Sequence, residues 1–207
     1  MAEMIKGVIF DLDGTIMDSF MQRVKSWCEA LRMNGAEVSE EEIEPLIGTP
    51  GVALASMFAK NPEKVEYDEE VIFAAHIPDL KLFPDVPATL ELLGKQGIRY
   101  VVVTSSRRKL IGSLAFHLET VITIDDVKQG KPHTDPYEKA MEIMGTSPGE
   151  TLVVGDARVD FIPAESLGCP AIQVTHGRNA GRYTDTIVTE ISEIPEQIKW
   201  LNSGFKC

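Results

Sequence analysis

Asp11 and Asp13 stand two residues apart where a short apolar run, Gly7-Val8-Ile9-Phe10, gives way to Gly14-Thr15. In extended chain residues i and i+2 point the same way, so both carboxylates can project into one crevice before Gly14 turns the backbone. Carboxylates that close repel each other, and the pair is tolerated when one is protonated or a cation lies between them. A metal-dependent acid/base site meets both conditions. An ordinary strand end with an Asp-Gly turn explains the segment equally well. Partners elsewhere in the chain must decide.

The elements that would position those partners can be read from periodicity. From Pro84 onward helix and strand patterns alternate. A helix over Pro87 to Lys95 precedes a strand over Arg99 to Thr104, and a helix around Lys109 to Phe116 precedes a strand over Val121 to Ile124. A helix over Pro136 to Met144 leads to Thr151 to Val154, and one over Asp160 to Leu167 leads to Ala171 to Val174. An apolar stretch near Ile187 and a helix over Pro195 to Leu201 close the chain. Such alternation predicts an α/β fold, a doubly wound parallel sheet.

Residues 17–82 read differently, as helices without a strand. Asp18 and Ser19 can cap a helix carrying Val24, Trp27, Cys28 and Leu31, with Gly35 as its stop; Ser39 and Glu42 form a capping-box pattern. Thr49-Pro50 starts a helix that Asn61-Pro62 ends, and Asp68 starts a fourth. The expected organisation is a core of residues 1–16 and 83–207 with a helical insertion of residues 17–82.

Ligands of open α/β sheets bind outside the carboxyl ends of the strands. The residues at those predicted ends are Asp11 and Asp13, then Thr104 and Ser105, then Gly155-Asp156-Ala157-Arg158-Val159-Asp160; Lys131 lies in a loop at the same edge. Carboxylates, a hydroxyl pair and one ammonium suit phosphoryl transfer, where charge on the peripheral oxygens must be neutralised. Hard oxygen donors favour Mg2+, with Asp11 and Asp156 as carboxylate ligands. Lys131 and Thr104, with Ser105 beside them, would hold the phosphoryl oxygens.

With those residues in view, the chain resembles the haloacid dehalogenase superfamily, in its phosphatase branch with a helical cap after the first motif. Asp11-Leu12-Asp13-Gly14-Thr15 matches motif one, Thr104 motif two, Lys131 motif three, and Asp156 with Asp160 motif four. The likeness extends to Phe83-Pro84-Asp85-Val86 and to Lys131-Pro132-His133-Thr134-Asp135-Pro136-Tyr137. It implies that Asp11 is a nucleophile forming an aspartyl-phosphate, that Asp13 is the general acid/base and lends its backbone carbonyl to the metal, and that Asp160 supports the metal ligands from behind. Members that displace halide lack the second motif-one acid, so Asp13 favours phosphoryl chemistry. The expected reaction is hydrolysis of a small phosphorylated metabolite, such as phosphoglycolate or a sugar phosphate. A β-phosphoglucomutase-like phosphotransferase is the enzyme alternative, and a catalytically silent phospho-ligand-binding protein the other.

Composition narrows the partners. The chain has 207 residues, 43% hydrophobic and 25% charged, which is globular, and its formal net charge of -12 excludes a general nucleic-acid binder. No apolar run reaches the ~20 residues of a membrane span. Glu3 stands where a signal peptide would be basic, and Cys28, Cys169 and Cys207 show no paired spacing, so a cytoplasmic protein, monomeric or homodimeric, is expected. Arg107, in Arg107-Arg108-Lys109, is a candidate substrate contact, whereas Gly177-Arg178-Asn179-Ala180-Gly181-Arg182 is expected to be a mobile surface loop. The histidines are scattered and are expected to be structural or exposed. Substrate choice is expected in the cap, whose loop Ile47-Gly48-Thr49-Pro50-Gly51 carries no Arg or Lys; Lys60, Lys64 and Lys81 remain candidates.

Overall fold

In the computed structural model, which describes residues 3–111, 118, 120–179 and 181–204, strand β1 (Gly7–Asp11) is the centre of the molecule. Beside it lie β2 (Arg99–Val103) and β4 (Thr151–Gly155), and beyond these β3 (Val121–Ile122), β5 (Ala171–Val174) and β6 (Thr186–Val188). The order is β3-β2-β1-β4-β5-β6, and every pairing is parallel. The chain therefore winds outward on one side through β2 and β3, then returns to the other side at β4. Asp11 pairs with Val103 and Phe10 with Val154, so the ends of β1, β2 and β4 open into one crevice at that reversal.

Alternation along β1 explains why the sheet must be covered twice. Val8 and Phe10 face a core shared with α5 (Val86–Lys95) and α9 (Ile194–Asn202), while Ile9 faces α7 (Asp135–Met144) and α8 (Arg158–Leu167). The buried β-branched runs of β2 and β4 read as nearly continuous apolar segments for the same reason.

Between β1 and α5 the chain is helical: α1 (Phe20–Met33), α2 (Glu40–Ile43), α3 (Gly51–Ser56) and α4 (Pro62–His76). Val24, Trp27, Cys28 and Leu31 of α1 pack with Ile43, Leu54 and Val65 in a core of their own, and Phe73 and Ile77 join the sheet's core. The Ser39–Glu42 capping box forms as expected.

Several boundaries differ from the expectation. The fourth helix starts at Pro62, not Asp68. The Asn61 side chain accepts from the Lys64 N–H and Pro62 occupies the first helical position, so the Asn-Pro pair that ends one helix also begins the next. Pro50 rather than Thr49 precedes α3, and its helix ends at Ser56. β3 stops at Ile122 because Asp126 turns back to accept from both the N–H and the hydroxyl of Thr123. The helix expected over Lys109 to Phe116 is described as α6 (Arg108–Ile111), and residues 112–117 lie outside the described residues.

Candidate active site

β1 hands Asp11 to the crevice, and a tight turn closed by Gly14 N–H to Met17 O (2.9 Å) redirects the chain. Gly14 has φ of 82°, and a Cβ there would lie 2.5 Å from Asp156 Oδ2, so this position requires glycine on both counts. At the end of β4 a Cβ on Gly155 would lie 2.6 Å from the Asp160 carboxyl; its absence lets the first turn of α8 close onto the strand.

Those two turns bring Asp11, Asp156 and Asp160 together, with one carboxylate oxygen of each within 4.8 Å of the others. Lys131 Nζ donates to Asp11 (2.6 Å) and to Asp160 (2.7 Å), and is itself buried. The other Asp160 oxygen accepts from the Ala157 N–H at 3.1 Å, and the Tyr137 hydroxyl donates to the first at 3.4 Å. Arg178 donates to Asp156 at 2.9 Å and to the Gly14 carbonyl at 2.6 Å.

Asp13 lies in the same cleft but belongs to a second network. Its carboxylate accepts from Ser19 Oγ (2.8 Å), Ser106 Oγ (3.0 Å) and Arg23 Nε (3.4 Å). Arg23 also donates to both oxygens of Glu69 on α4, at 3.0 and 3.3 Å, hydrogen-bonds Ser106, and lies 3.5 Å over the Phe73 ring. Ser19 thus precedes α1 without capping it, its hydroxyl being spent on Asp13. Thr104 is buried and accepts from the Ser106 N–H at 3.0 Å, and Ser105 lines the cleft beside it.

Charge decides how this site behaves. Burial holds the Asp11 carboxyl well above its ordinary value, against the pull of Lys131 and reinforced by Asp160 and Asp156. Burial also pushes Asp156 up to about 6, with Arg178 opposing. For Lys131, burial disfavours the charge, but Asp11 and Asp160 outweigh it and keep the ammonium protonated. Asp13 goes the other way: burial raises it, yet Arg23 with the Ser19 and Ser106 hydrogen bonds brings it below the usual carboxylate range.

The acidic trio faces two cations, Lys131 and Arg178, so one formal negative charge is left over before any anion enters. A phosphoryl group arriving there needs further positive charge, and hard carboxylate oxygens at this spacing fit a divalent cation such as Mg2+.

The structure brings together Asp11, Asp13, Thr104, Ser105, Arg107, Lys131, Asp156 and Asp160 in one cleft of about 340 Å3. Arg23, Glu69, Ser106 and Arg178 were not among the expected site residues. Arg23 had a detectable signal, since it shares a helical face with Phe20, Val24 and Trp27, where a charge needs a buried partner. The loop around Arg178 is not the free surface loop expected. Besides the Arg178 contacts, the buried Gln173 amide donates to Gly181 O at 2.6 Å and accepts from the Tyr183 N–H at 3.0 Å. His176, before it, stacks on Phe83 at 3.4 Å and bonds the Thr15 carbonyl at 2.8 Å, a structural role as expected. His117 and Cys207 lie outside the described residues.

A six-stranded parallel sheet with acids and a lysine at its switch point defines a hydrolase of the haloacid dehalogenase type, and residues 8–174 match the family described as haloacid dehalogenase-like hydrolase. The chain belongs to that family, among its phosphatases. It is 30% identical over 221 residues to the phosphoglycolate phosphatase of Escherichia coli strain K12, covering 88% of this chain and 86% of that one. It is 31% identical over 183 residues to a candidate pyrophosphatase, PpaX, of Caldanaerobacter subterraneus subsp. tengcongensis, covering 82% and 81%. The fold is shared with a hydrolase from Pseudomonas syringae (TM-score 0.83, 22% identity, 94% of this chain and 98% of that one). A β-phosphoglucomutase from Clostridium difficile also shares it (TM-score 0.79, 16% identity, 97% and 98%). Among the described residues no helix is long and apolar enough to cross a membrane.

Proposed function

We propose that this enzyme hydrolyses a small phosphomonoester through an aspartyl-phosphate on Asp11, with Mg2+ held by the Asp11 and Asp156 carboxylates and the Asp13 backbone carbonyl. The observation that carries the reading is Lys131 held between Asp11 and Asp160 at the switch point, with Asp13 two residues on in a separate hydrogen-bonded network. Mg2+ would supply neutralisation of the phosphoryl oxygens.

Asp11 attacks phosphorus as the carboxylate, the form that the Lys131 ammonium favours against burial, while the bond to the leaving oxygen breaks and Asp13 gives that oxygen its proton. Asp13 then takes a proton from water, whose oxygen attacks the same phosphorus and frees phosphate and Asp11. The carboxylate form that Arg23 holds suits the second half of this cycle, and the first half requires Asp13 to be protonated and released from that contact. Lys131 keeps Asp11 oriented and meets a phosphoryl oxygen, and at the end of β2 Thr104 offers its hydroxyl and Ser105 its hydroxyl and backbone N–H, the Thr104 N–H being held by the Ile122 carbonyl. Asp160 acts by fixing Lys131.

Residues 17–82 would serve as a cap that covers the leaving group and excludes water. Phosphoglycolate and sugar phosphates are the two substrate types proposed, in a cytoplasmic setting. The absence of Arg and Lys from Ile47–Gly51 favours hydrolysis over a mutase reaction, in which a second phosphate must be gripped. Phosphate release with Mg2+ present should vanish in Asp11→Asn and after chelation; release unchanged in either case would refute the mechanism.

A further inference from the structure

We infer that the leaving group this enzyme accepts is uncharged, a hydroxylated alcohol or sugar rather than one bearing a carboxylate or a second phosphate. The inference rests on the phosphatase reading above and, of the two substrate types proposed there, keeps sugar phosphates and sets phosphoglycolate aside. Each cation that lines the cleft among the described residues is already committed to carboxylates. Lys131 belongs to Asp11 and Asp160, and Arg23 to Asp13 and Glu69.

Arg107, the remaining one, is 2.8 Å from Glu70, 3.4 Å from Asp125 and 3.8 Å from Glu66. Its neighbours offer no reserve. Lys109 is 2.7 Å from the same Glu70, and Arg108 pairs with Asp126. Lys60, Lys64 and Lys81 do not line the cleft, and the cap loop that does carries no cation.

An anionic leaving group that reached Arg107 would have to sit beside the acids already paired with it. Glu66 and Glu70 line the cleft, so that encounter is repulsive, and a charge brought out of water without a partner is costly. Hydroxyl groups meet no such penalty. They can donate to Glu66 or Glu70 and accept from Arg107 without breaking a pair, while Ile47, Pro50 and Val52 offer apolar contact.

The direct test compares kcat/KM for 2-hydroxyethyl phosphate and 2-phosphoglycolate, which differ only in a CH2OH or a carboxylate, with p-nitrophenyl phosphate as a general reporter and Mg2+ present. The uncharged compound should be favoured by about tenfold or more, the scale on which one unmatched polar group discriminates substrates. Glu70→Gln, or Glu66→Gln, should narrow the ratio by freeing Arg107, and adding Arg107→Gln should restore it. Both substrates are read on one preparation, so loss of folded enzyme leaves the ratio unaltered. Phosphoglycolate preferred by wild type, or a ratio unmoved in both glutamine variants, would overturn the inference. Hydrolysis of none of these compounds, nor of any member of a sugar-phosphate panel with Mg2+ present, would instead overturn the phosphatase reading, and this inference with it.

Discussion

Replacing Arg23 by Met removes a cation that a buried carboxylate cannot do without. The guanidinium meets Glu69 at 3.0 and 3.3 Å, and the Glu69 side chain is 3% exposed. Burial raises Glu69 even with Arg23 in place, so the carboxylate depends on that partner to stay ionised. Losing one member of a buried pair costs about 3–5 kcal/mol, and the stacking over Phe73 adds about 1 kcal/mol. Against a total stability of about 5–15 kcal/mol, Arg23→Met alone should leave the protein marginal. The double variant Arg23→Met/Glu69→Met replaces the pair with apolar groups of similar length, and should recover at least about 2 kcal/mol of that loss. Urea unfolding followed by tryptophan fluorescence, to which Trp27 in the same helical core and Trp200 of α9 both contribute, measures all four corners of the cycle. Arg23→Met losing under about 1 kcal/mol, or the two substitutions adding without coupling, would refute the network's energetic role.

Lys131→Met should reduce phosphate release by about 10²–10³ and destabilise the fold, because Asp11 and Asp160 then face each other without the ammonium; steady-state rates with Mg2+ check the first part. Gly14→Ala should cost about 1–2 kcal/mol for its left-handed backbone alone, and should displace Asp156 or Arg178, seen as a weaker thermal-shift response to Mg2+. Burial pushes the Cys169 thiol up to about 11 and raises Cys28, so at pH 8 neither holds much thiolate, and peptide mapping should find both protected from iodoacetamide until urea unfolds the chain.

Features that depend on local order were legible in the sequence. The alternation after Pro84 set the strands, and their polar ends identified Asp11, Asp13, Thr104, Lys131, Asp156 and Asp160, because a parallel sheet gathers strand ends at one edge. The second network was hidden because its members come from distant segments: Arg23 reaches Glu69 across 46 residues and Ser106 across 83. Arg178 escaped for a similar reason, since the glycine-rich run around it looks like surface while Gln173 and Asp156 anchor it from within. Asn61-Pro62 shows a different limit, in that one dipeptide carries both a stop and a start signal and only packing separates them.

Asp11 is the side chain on which the proposed mechanism turns, because it receives the phosphoryl group. Acid quenching of the enzyme during turnover, with peptide mass mapping of the quenched protein, tests this directly. One phosphoryl group should be found on Asp11 in the wild-type protein and none in Asp11→Asn, and a phosphoryl group on another residue, or none in wild type while phosphate is being released, would contradict it.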